Sequence, residues 1–541
     1  MLEGKFSALR ARLAGFIAPK RQRKGVANSA AARMYGGARN TRNTIGFGTA
    51  TTSADSELAS SLVALRNRSR QIVRDGGYAK RARNLVVNNV IGSGVGMQCQ
   101  VMAQRDNLRS AVNDSIEAAW SEWCAGATCH TGGALHFGDL ERAAMAQVFE
   151  TGEAFLRVHL RAFGNSKVPI ALELIEAERI ADGVAEPGAI APGAEIRMGV
   201  EVDQFGRALA YWVRKRQPGD LNASGEDRVE RVPADQIYHL RIITRWPQTR
   251  GEPWLHAVVR KLDDMDQTTQ LEITAARGSA AYFATITSPE AEPLPDDAEG
   301  EDEEGARVVA LDPLTIQQLN PGESLQFHAP NRPNAQLDPF MKMMLREIAA
   351  GADVSYASLS ADYSASNYSS SRLALLDDRD VWRVLQQWWI RSFRVPFHKR
   401  FVQQAILARA VAVPVTEYAA DPAKFEATRF KPRGWSWVDP TREVQAAKEG
   451  VRAGFTTVTD VIAATGEGRD IEDFIATRKR ELQLLEEAGI EVDTTVPEGG
   501  VDANGQPLGK ADPDEADSNT DPAADPGADP KRAKPMLRTA A

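Results

Sequence analysis

Three cysteines in 541 residues, Cys99, Cys124 and Cys129, are too few to staple a secreted scaffold, and they fit a reducing compartment. The basic N-terminus is followed by no uninterrupted apolar stretch, so no secretory signal is expected. The longest notable uncharged run, Asn84 to Gln104, is broken by Asn88, Asn89, Gln98 and several glycines; it reads as helix end, turn and strand rather than a membrane span. No Gly-x-x-x-x-Gly-Lys-Ser/Thr loop occurs, since Gly505 and Gly509-Lys510 have the wrong spacing. His-Glu-x-x-His and Gly-x-Ser-x-Gly are also missing, and the seven histidines are scattered singly. Cys124-x4-Cys129-His130 with His136 is too loose for a structural zinc site. Gly92-Ser-Gly94-Val-Gly96 follows a helix and opens a strand, the reverse of a dinucleotide loop. These absences argue against an enzyme and against any cofactor or metal.

What is present is a large, mixed chain. Hydrophobic content of 43% and charged content of 26% are those of a globular protein with several domains. The net charge of -8 hides an asymmetry, because the first fifty residues carry ten Lys or Arg against the single acid Glu3. Within this basic arm Leu2, Phe6, Leu9, Leu13 and Phe16 fall at helical spacing. Two helices are expected from Asp55 to Ile91, broken at Gly76-Gly77, with a solvated basic surface from Arg66 to Arg83. Helices follow at Leu108–Trp123 and Phe137–Glu150.

From Gly152 to Ile243 the pattern turns to β, with strands at Glu153–Leu160 and Ala171–Ile175 and a hairpin around Asp203 and Gly206-Arg207. Pro233-Ala-x-x-Ile237-x-His239 marks another strand entry. Gln248-x-Arg250-Gly251 then precedes a long helix with Pro253 in its first turn and an acidic side of Asp263, Asp264, Asp266 and Glu272. A Pro-rich acidic stretch carries Glu290, Glu292, Asp296, Asp297, Glu299, Glu301, Asp302, Glu303 and Glu304 with no base among them. Short strands are expected at Arg307–Leu311, Thr315–Leu319 and Ser324–His328, then a second long helix over Asp338–Ala350.

The centre of the chain is a polar run, Ser360 to Ser371, with no apolar period. Behind it Trp382, Leu385, Trp389, Phe393 and Phe397 recur at three and four, the stripe of a long helix that Val395-Pro396 should kink or end. Asp377, Asp378 and Asp380 read as helix-start acids facing the dipole. Trp435-x-x-x-Asp439-Pro440-x-Arg442-Glu443 opens a further helix. A last helix, Ile471–Ala488, should turn Phe474, Ile475, Leu482 and Leu485 inward. Residues beyond Glu491 are Pro, Asp, Ala and Gly and should not fold.

Asn367-Tyr368-Ser369-Ser370-x-Arg372, Gln248-x-Arg250-Gly251 and the Trp435–Glu443 pattern, in that family's order, resemble the lambda-type portal family of tailed bacteriophages. Asn88-Asn-Val-Ile-Gly92-x-Gly94 and the Asp203 hairpin agree with it. The resemblance implies an α+β, portal-like subunit with a β-rich wing, long stem helices, a small α/β clip insertion and a C-terminal helical region. On that plan the chain divides into an arm (1–54), a wing (55–252), a first stem helix (253–280) and a clip (281–335) with its acidic loop (288–305). A second stem helix (336–359), a tunnel loop (360–372), a helical return and crown-like region (373–490) and a tail (491–541) follow. It further implies a homo-oligomeric ring of about twelve copies at one capsid vertex of the virion, assembled in the host cytoplasm, with no catalytic residues. Double-stranded DNA would pass through it without sequence recognition. The partners would be the terminase large subunit, a head-completion or tail-connector protein, and the capsid or scaffold protein; no membrane is expected. Lacking an ATP site, such a ring would need a separate packaging motor. The expected channel loop is Asp362, Tyr363, Ser364, Ser366, Asn367, Tyr368, Ser369, Ser370, Ser371 and Arg372, and the expected clip surface is the acidic stretch. The rival expectation is a non-enzymatic nucleic-acid-binding scaffold or adaptor acting through the basic arm.

Overall fold

The structure, a computed structural model, describes residues 42, 48–104, 107–108, 110–183, 190–220, 228–281, 284–287, 324–327, 336–364, 367–435, 440–465 and 471–489. Residues up to Asp470 form one compact unit and those from Ile471 a second.

The first unit opens with α1 (Ala54–Asp75) and α2 (Gly77–Val90), separated at the glycine pair as the sequence predicts. Ser53 caps α1 through a reciprocal pair of hydrogen bonds with Ser56. The turn after α2 leads to β1 (Gly96–Cys99), the short β2 (Met102–Gln104) and β3 (Asn107–Leu108), then α3 (Ser110–Cys124) and α4 (Phe137–Thr151). The thiols and imidazoles of this region have structural work. Cys129 Sγ donates to the Leu135 carbonyl at 3.3 Å, and His136 Nδ1 accepts from the Gly138 amide at 3.1 Å as the cap of α4. Burial pushes Cys99 up to about 12 and Cys129 up to about 11, so both stay thiols at neutral pH.

Strands β4 (Glu153–His159) and β5 (Ala171–Ile175) follow. A four-stranded antiparallel sheet comes next, from β6 (Glu195–Arg197), β7 (Val200–Val202), β8 (Ala208–Arg214) and β9 (Val229–Pro233). Then β10 (Ile237–Arg241) pairs with β4, making a three-stranded sheet in the order β10-β4-β5. Alternation along β4 decides the layering. Ala154, Leu156 and Val158 point into the large core shared with α2, α3 and α4, whereas Phe155 faces a smaller core with Val200, Tyr211 and Val213 of the second sheet.

Helix α5 (Val259–Ala281) runs into β11 (Ala284–Thr287), which pairs antiparallel with β12 (Ser324–Phe327); α6 (Leu337–Gly351) returns. Two long helices therefore bracket a strand pair, as expected. The expected strands at 307–311 and 315–319 lie outside the described residues, as does the acidic stretch from Glu290 to Glu304. The expected second stem helix, 336–359, is two elements: α6 ends at Gly351, and a turn leads to α7 (Tyr356–Ser360).

Helix α8 (Tyr368–Trp389) continues through a π-helical turn, Ile390–Arg394, into α9 (Val395–Leu407). The helix neither ends nor breaks at Val395-Pro396. The wider turn just before it frees the backbone that Pro396 cannot bond, and Pro396 sits in the first turn of α9. Trp389, Phe393, Phe397 and Phe401 then stay on one buried face with Trp120, Trp123 and Phe137, their rings packed edge-on, tilted or offset. The short α10 (Val415–Ala420) and α11 (Pro422–Glu426) lead to β13 (Thr428–Lys431), which pairs with β1. A helical pair, α12 (Pro440–Arg452) and α13 (Val458–Thr465), completes the unit. Asp439, the expected cap of α12, lies outside the described residues. The second unit is described by α14 (Ile471–Glu487), where Phe474, Ile475 and Leu482 are exposed rather than turned inward. Among the described residues this unit is a single seventeen-residue helix, which offers no second layer against which to bury them. Among the described residues no helix is long and apolar enough to cross a membrane.

The core also carries an acid-sensitive group. His398, buried on α9, has Nε2 2.6 Å from Thr428 Oγ1, and burial followed by the nearby Arg394 lowers its pKa to about 3. The unfolded chain binds a proton there below pH about 6.5, while the folded chain refuses it until pH about 3. Stability from this group is present above pH 6.5 and is lost as pH falls through that window, by at most about 1.4 kcal/mol per pH unit. His398→Phe should therefore flatten the acid limb of urea-unfolding free energy against pH relative to the native chain; parallel limbs would contradict it.

Candidate functional site

The polar run is shorter as a loop than its composition suggests. Asn367 accepts from the Ser370 amide at 2.8 Å, and Ser370 Oγ accepts from the Asn367 amide at 3.1 Å, a capping box that starts α8 at Tyr368. Tyr368 through Arg372, expected in the loop, are thus the first turn of the helix; Ser369 and Ser370 are exposed, and Arg372 reaches Glu443 of α12 at 3.3 Å. The connection proper is 361–367, and Ser366 lies outside the described residues.

Its described part is built from local turns. Ala361 takes a left-handed conformation, φ 57°, that ends α7. Asp362 Oδ1 accepts from the Ser364 amide at 3.0 Å and its hydroxyl at 2.6 Å, and Tyr356 Oη donates to Oδ2 at 3.2 Å. Those bonds, the Ser364 hydroxyl first, hold the Asp362 carboxyl below its usual range. Tyr363 is exposed.

The frame beneath the loop depends on Asp378. Far from opening its helix, Asp378 lies ten residues into α8 and is buried. It accepts from the Ser355 amide at 2.7 Å, the Ser355 hydroxyl at 2.7 Å and the Ser358 hydroxyl at 2.6 Å, tying the start of α7 to the flank of α8. The expectation of dipole-facing acids is corrected for this residue: α8 already starts at Tyr368, so Asp378 is well past its first turn, and it stands four residues before Trp382 on the helix's buried stripe. Arg81 of α2 donates to the Ser358 carbonyl at 2.7 Å, and Leu359 is fully buried between them. Asp378→Ala should lower stability by about 2–3 kcal/mol, since a charged acceptor with several donors is lost. Amide exchange should speed up at Ser355–Ala361 more than at β4; uniform exchange would contradict the local role.

The unit also holds a buried ionic hub, most of which the sequence did not reveal. Glu153 begins β4 on the same face as Phe155, and Arg250 Nε donates to it at 2.9 Å and 3.1 Å. Arg66 Nη2 donates to Glu153 at 2.6 Å, the Gly251 amide at 2.9 Å, and His239 Nε2 lies 2.9 Å away. Arg250 further reaches Asp182 at 3.0 Å and the carbonyls of Ala177 and Met198 at 3.1 Å and 2.5 Å. Burial alone would raise Glu153, yet Arg250, Arg66 and His239 together hold it well below the carboxylate range. Burial and the neighbouring Arg241 drive His239 down to about 3, so it is neutral at physiological pH. The hub therefore joins α1, both sheets and the segment entering α5.

Arg66 was expected on a solvated surface and is instead buried. Its position in the stripe Leu58, Leu62, Arg66, Ser69, Val73 was the available signal, since a base at an apolar stripe position needs a buried acid. Arg250 stood in the Gln-x-Arg-Gly motif, whose physical meaning is this hub. A second buried pair, Glu141 and Arg394, lies under the π-helical turn at 3.8 Å, with Trp389 Nε1 donating to Glu141 at 3.0 Å. Burial, only partly offset by Arg394, raises the Glu141 pKa.

The three helices α5, α6 and α8 leave apolar side chains uncovered. Leu271 and Ile273 on α5, Phe340 and Met343 on α6, and Leu373, Leu376 and Val384 on α8 are exposed, beside exposed acids Asp263, Asp264 and Asp266 on α5. Among the described residues no group of His, Cys, Asp and Glu is arranged to hold a metal ion.

These features, two helices bracketing a strand pair, a two-sheet wing and a capped polar connection, are those of a portal-type α+β subunit. Residues 40–386 match the family described as phage portal protein, lambda family, and the chain belongs to that family, bearing out the resemblance read from its motifs. It is 26% identical over 430 residues to the probable portal protein of Halomonas phage phiHAP-1, covering 79% of this chain and 81% of that one. To portal protein B of Escherichia phage lambda it is 22% identical over 472 residues, covering 81% and 87%. Among solved structures it is similar to a chain of the neck of a native gene transfer agent particle, with 13% identity, a TM-score of 0.40, and 75% and 94% of the two chains covered. An HK97 family phage portal protein from Corynebacterium diphtheriae is similar at 12% identity and a TM-score of 0.30, over 68% and 94%.

Proposed function

We propose that the chain assembles into a closed ring at the portal vertex of a phage capsid, with an axial channel through which double-stranded DNA is packaged and ejected. Membership of the lambda portal family over residues 40–386 carries this reading. Several physical features support it. The uncovered apolar residues of α5, α6 and α8 are numerous for a monomer and suit contacts between neighbouring copies in a ring. Asp362, Tyr363 and Ser364, with Asn367 and Ser369–Ser371, form a lining with hydroxyls, an amide and a carboxylate but no free base, since Arg372 is engaged with Glu443. A polyanion meets there weak, exchangeable hydrogen bonds rather than the multiple Lys or Arg contacts that grip phosphate. It meets no array of base-reading side chains either. The acidic face of α5 repels the duplex from the wall. The acidic stretch Glu290–Glu304 serves as the surface offered to the terminase or to a tail connector. The ring acts as a conduit and docking platform rather than as an enzyme.

Negative-stain imaging and sedimentation of the purified chain test the ring: closed rings are expected, and a chain that stays monomeric under all assembly conditions overturns it. Removing 362–366 should leave ring formation intact and abolish stable DNA packaging. Normal packaging by that variant would remove the channel role of the loop. Tight, steeply salt-dependent DNA binding by a monomer would favour the scaffold reading instead.

A further inference from the structure

One surface of the wing is apolar, fixed and uncovered. Phe205 at the tip of the β7–β8 hairpin is 76% exposed and Trp246, in the segment after β10, is 67% exposed. The hairpin turn lies beside Trp246: a side chain at Gly206, the residue after Phe205, would stand 3.9 Å from Trp246 Cζ2. Neither is exposed through looseness of its backbone. Asp203 Oδ1 accepts from the amides of Phe205 and Arg207 at 2.9 Å and 2.8 Å. On the other side, Gln248 Oε1 accepts from the Thr244 amide at 3.0 Å, and Thr244 Oγ1 donates to Glu252 at 2.7 Å. Two large aromatics held in water by well-bonded turns mark a contact surface rather than a frayed edge.

The chain itself arrives at this place. Arg245, the residue before Trp246, donates to the Thr52 carbonyl and, at 3.0 Å, to Glu57. Asp55 accepts from the Thr249 amide at 2.6 Å and its hydroxyl at 2.7 Å. The N-terminal segment is thus anchored beside Trp246, and five residues upstream of Thr52 stands Phe47, with Ile45 two further on and glycines at 46 and 48. Five residues span at most about 17 Å, so Phe47 cannot stray far from the patch. A tether this short sets an effective concentration in the millimolar range, enough to fill a site that free peptide would leave empty.

We infer that the aromatic patch formed by Phe205 and Trp246 is the docking site of the chain's own N-terminal segment, through Ile45 and Phe47, and that this contact sets the direction in which the basic arm leaves the wing. The occupant is intramolecular because the anchor at Arg245 delivers it there. The arm's ten bases are thereby presented from one place on the wing instead of sweeping around it.

The test uses the full-length chain in its assembled state. The three native cysteines are buried, so the background is low. Phe47→Cys with Phe205→Cys should close an intrachain disulfide under mild oxidant much faster than Phe47→Cys with Phe455→Cys, Phe455 being a still more exposed aromatic in the turn after α12. Equal rates, or a disulfide found only between chains, would overturn the assignment; the second outcome would make the patch a contact between copies. Independently, Trp246→Ala should raise the rate of tryptic cleavage after Arg42 roughly tenfold, the loss of one good aromatic contact. Trp246 is exposed, so the substitution spares the core, and an unchanged cleavage rate would equally overturn the proposal.

Discussion

Replacing Arg250 by methionine is expected to lower the unfolding free energy by about 3–5 kcal/mol, because one partner is taken from a fully buried ion pair. Glu153 would keep Arg66, His239 and the Gly251 amide but lose its bidentate cation. Asp182 and the carbonyls of Ala177 and Met198 would lose their donors at the same time. Methionine matches the length of the aliphatic stem and supplies none of the donors, so the change tests electrostatics rather than volume. The pH profile should shift as well. In the native chain Glu153 is held well below 4.5, so its contribution is present above that value and is lost as pH falls below it. Without Arg250, burial would dominate and raise Glu153, and acid would cost the variant less than it costs the native chain. Urea unfolding at pH 7 and pH 4 reads both effects. A loss below about 1 kcal/mol at pH 7 would mean that the hub is dispensable.

A still larger effect is expected for Gly152→Ala, which should give no folded protein at all. Gly152 caps α4 at φ 88° and leads into β4. A Cβ there would lie 2.2 Å from the carbonyl carbon of Glu252, a backbone atom that cannot swing aside. Gly251 mirrors it, with a Cβ position 2.1 Å from the Gly152 carbonyl oxygen. The two glycines let two backbone segments cross in contact, and that crossing places Arg250 on Glu153. Gly193→Ala is the control. It shares the left-handed backbone, φ 77°, but has open space around it, so it should cost only about 1–2 kcal/mol. Soluble yield and circular dichroism separate the two. A folded Gly152→Ala protein would show that the crossing can relax.

Much of the architecture was legible because it is written in local periodicity. The break at Gly76-Gly77, the Asp203 hairpin, the strand at Ala171–Ile175 and the stripe from Trp382 to Phe397 each depend on neighbours within a few positions. Several of the misreadings were local. Serines and an asparagine at 367–371 looked like loop because composition does not distinguish a polar linker from a polar first helical turn. That choice is made by the Asn367–Ser370 capping box, and Asp378, no longer in the first turn, falls on the buried stripe of Trp382, Leu385 and Trp389. Val395-Pro396 reads as a kink or an end, and of the two only the end is excluded: the helix continues because the π-helical turn just before Pro396 accommodates its missing donor.

By itself, then, the order of residues determined the succession of elements, their amphipathic faces and the portal family to which they belong, since these follow from short-range periodicity and from motif residues at set spacing. The ionic hub, the Gly152–Gly251 crossing and the aromatic patch beside the arm were decided only by tertiary structure. Arg66, Glu153, His239 and Arg250 come from four separate parts of the chain, and whether a charge is solvated or buried against its opposite depends on which distant segment folds over it.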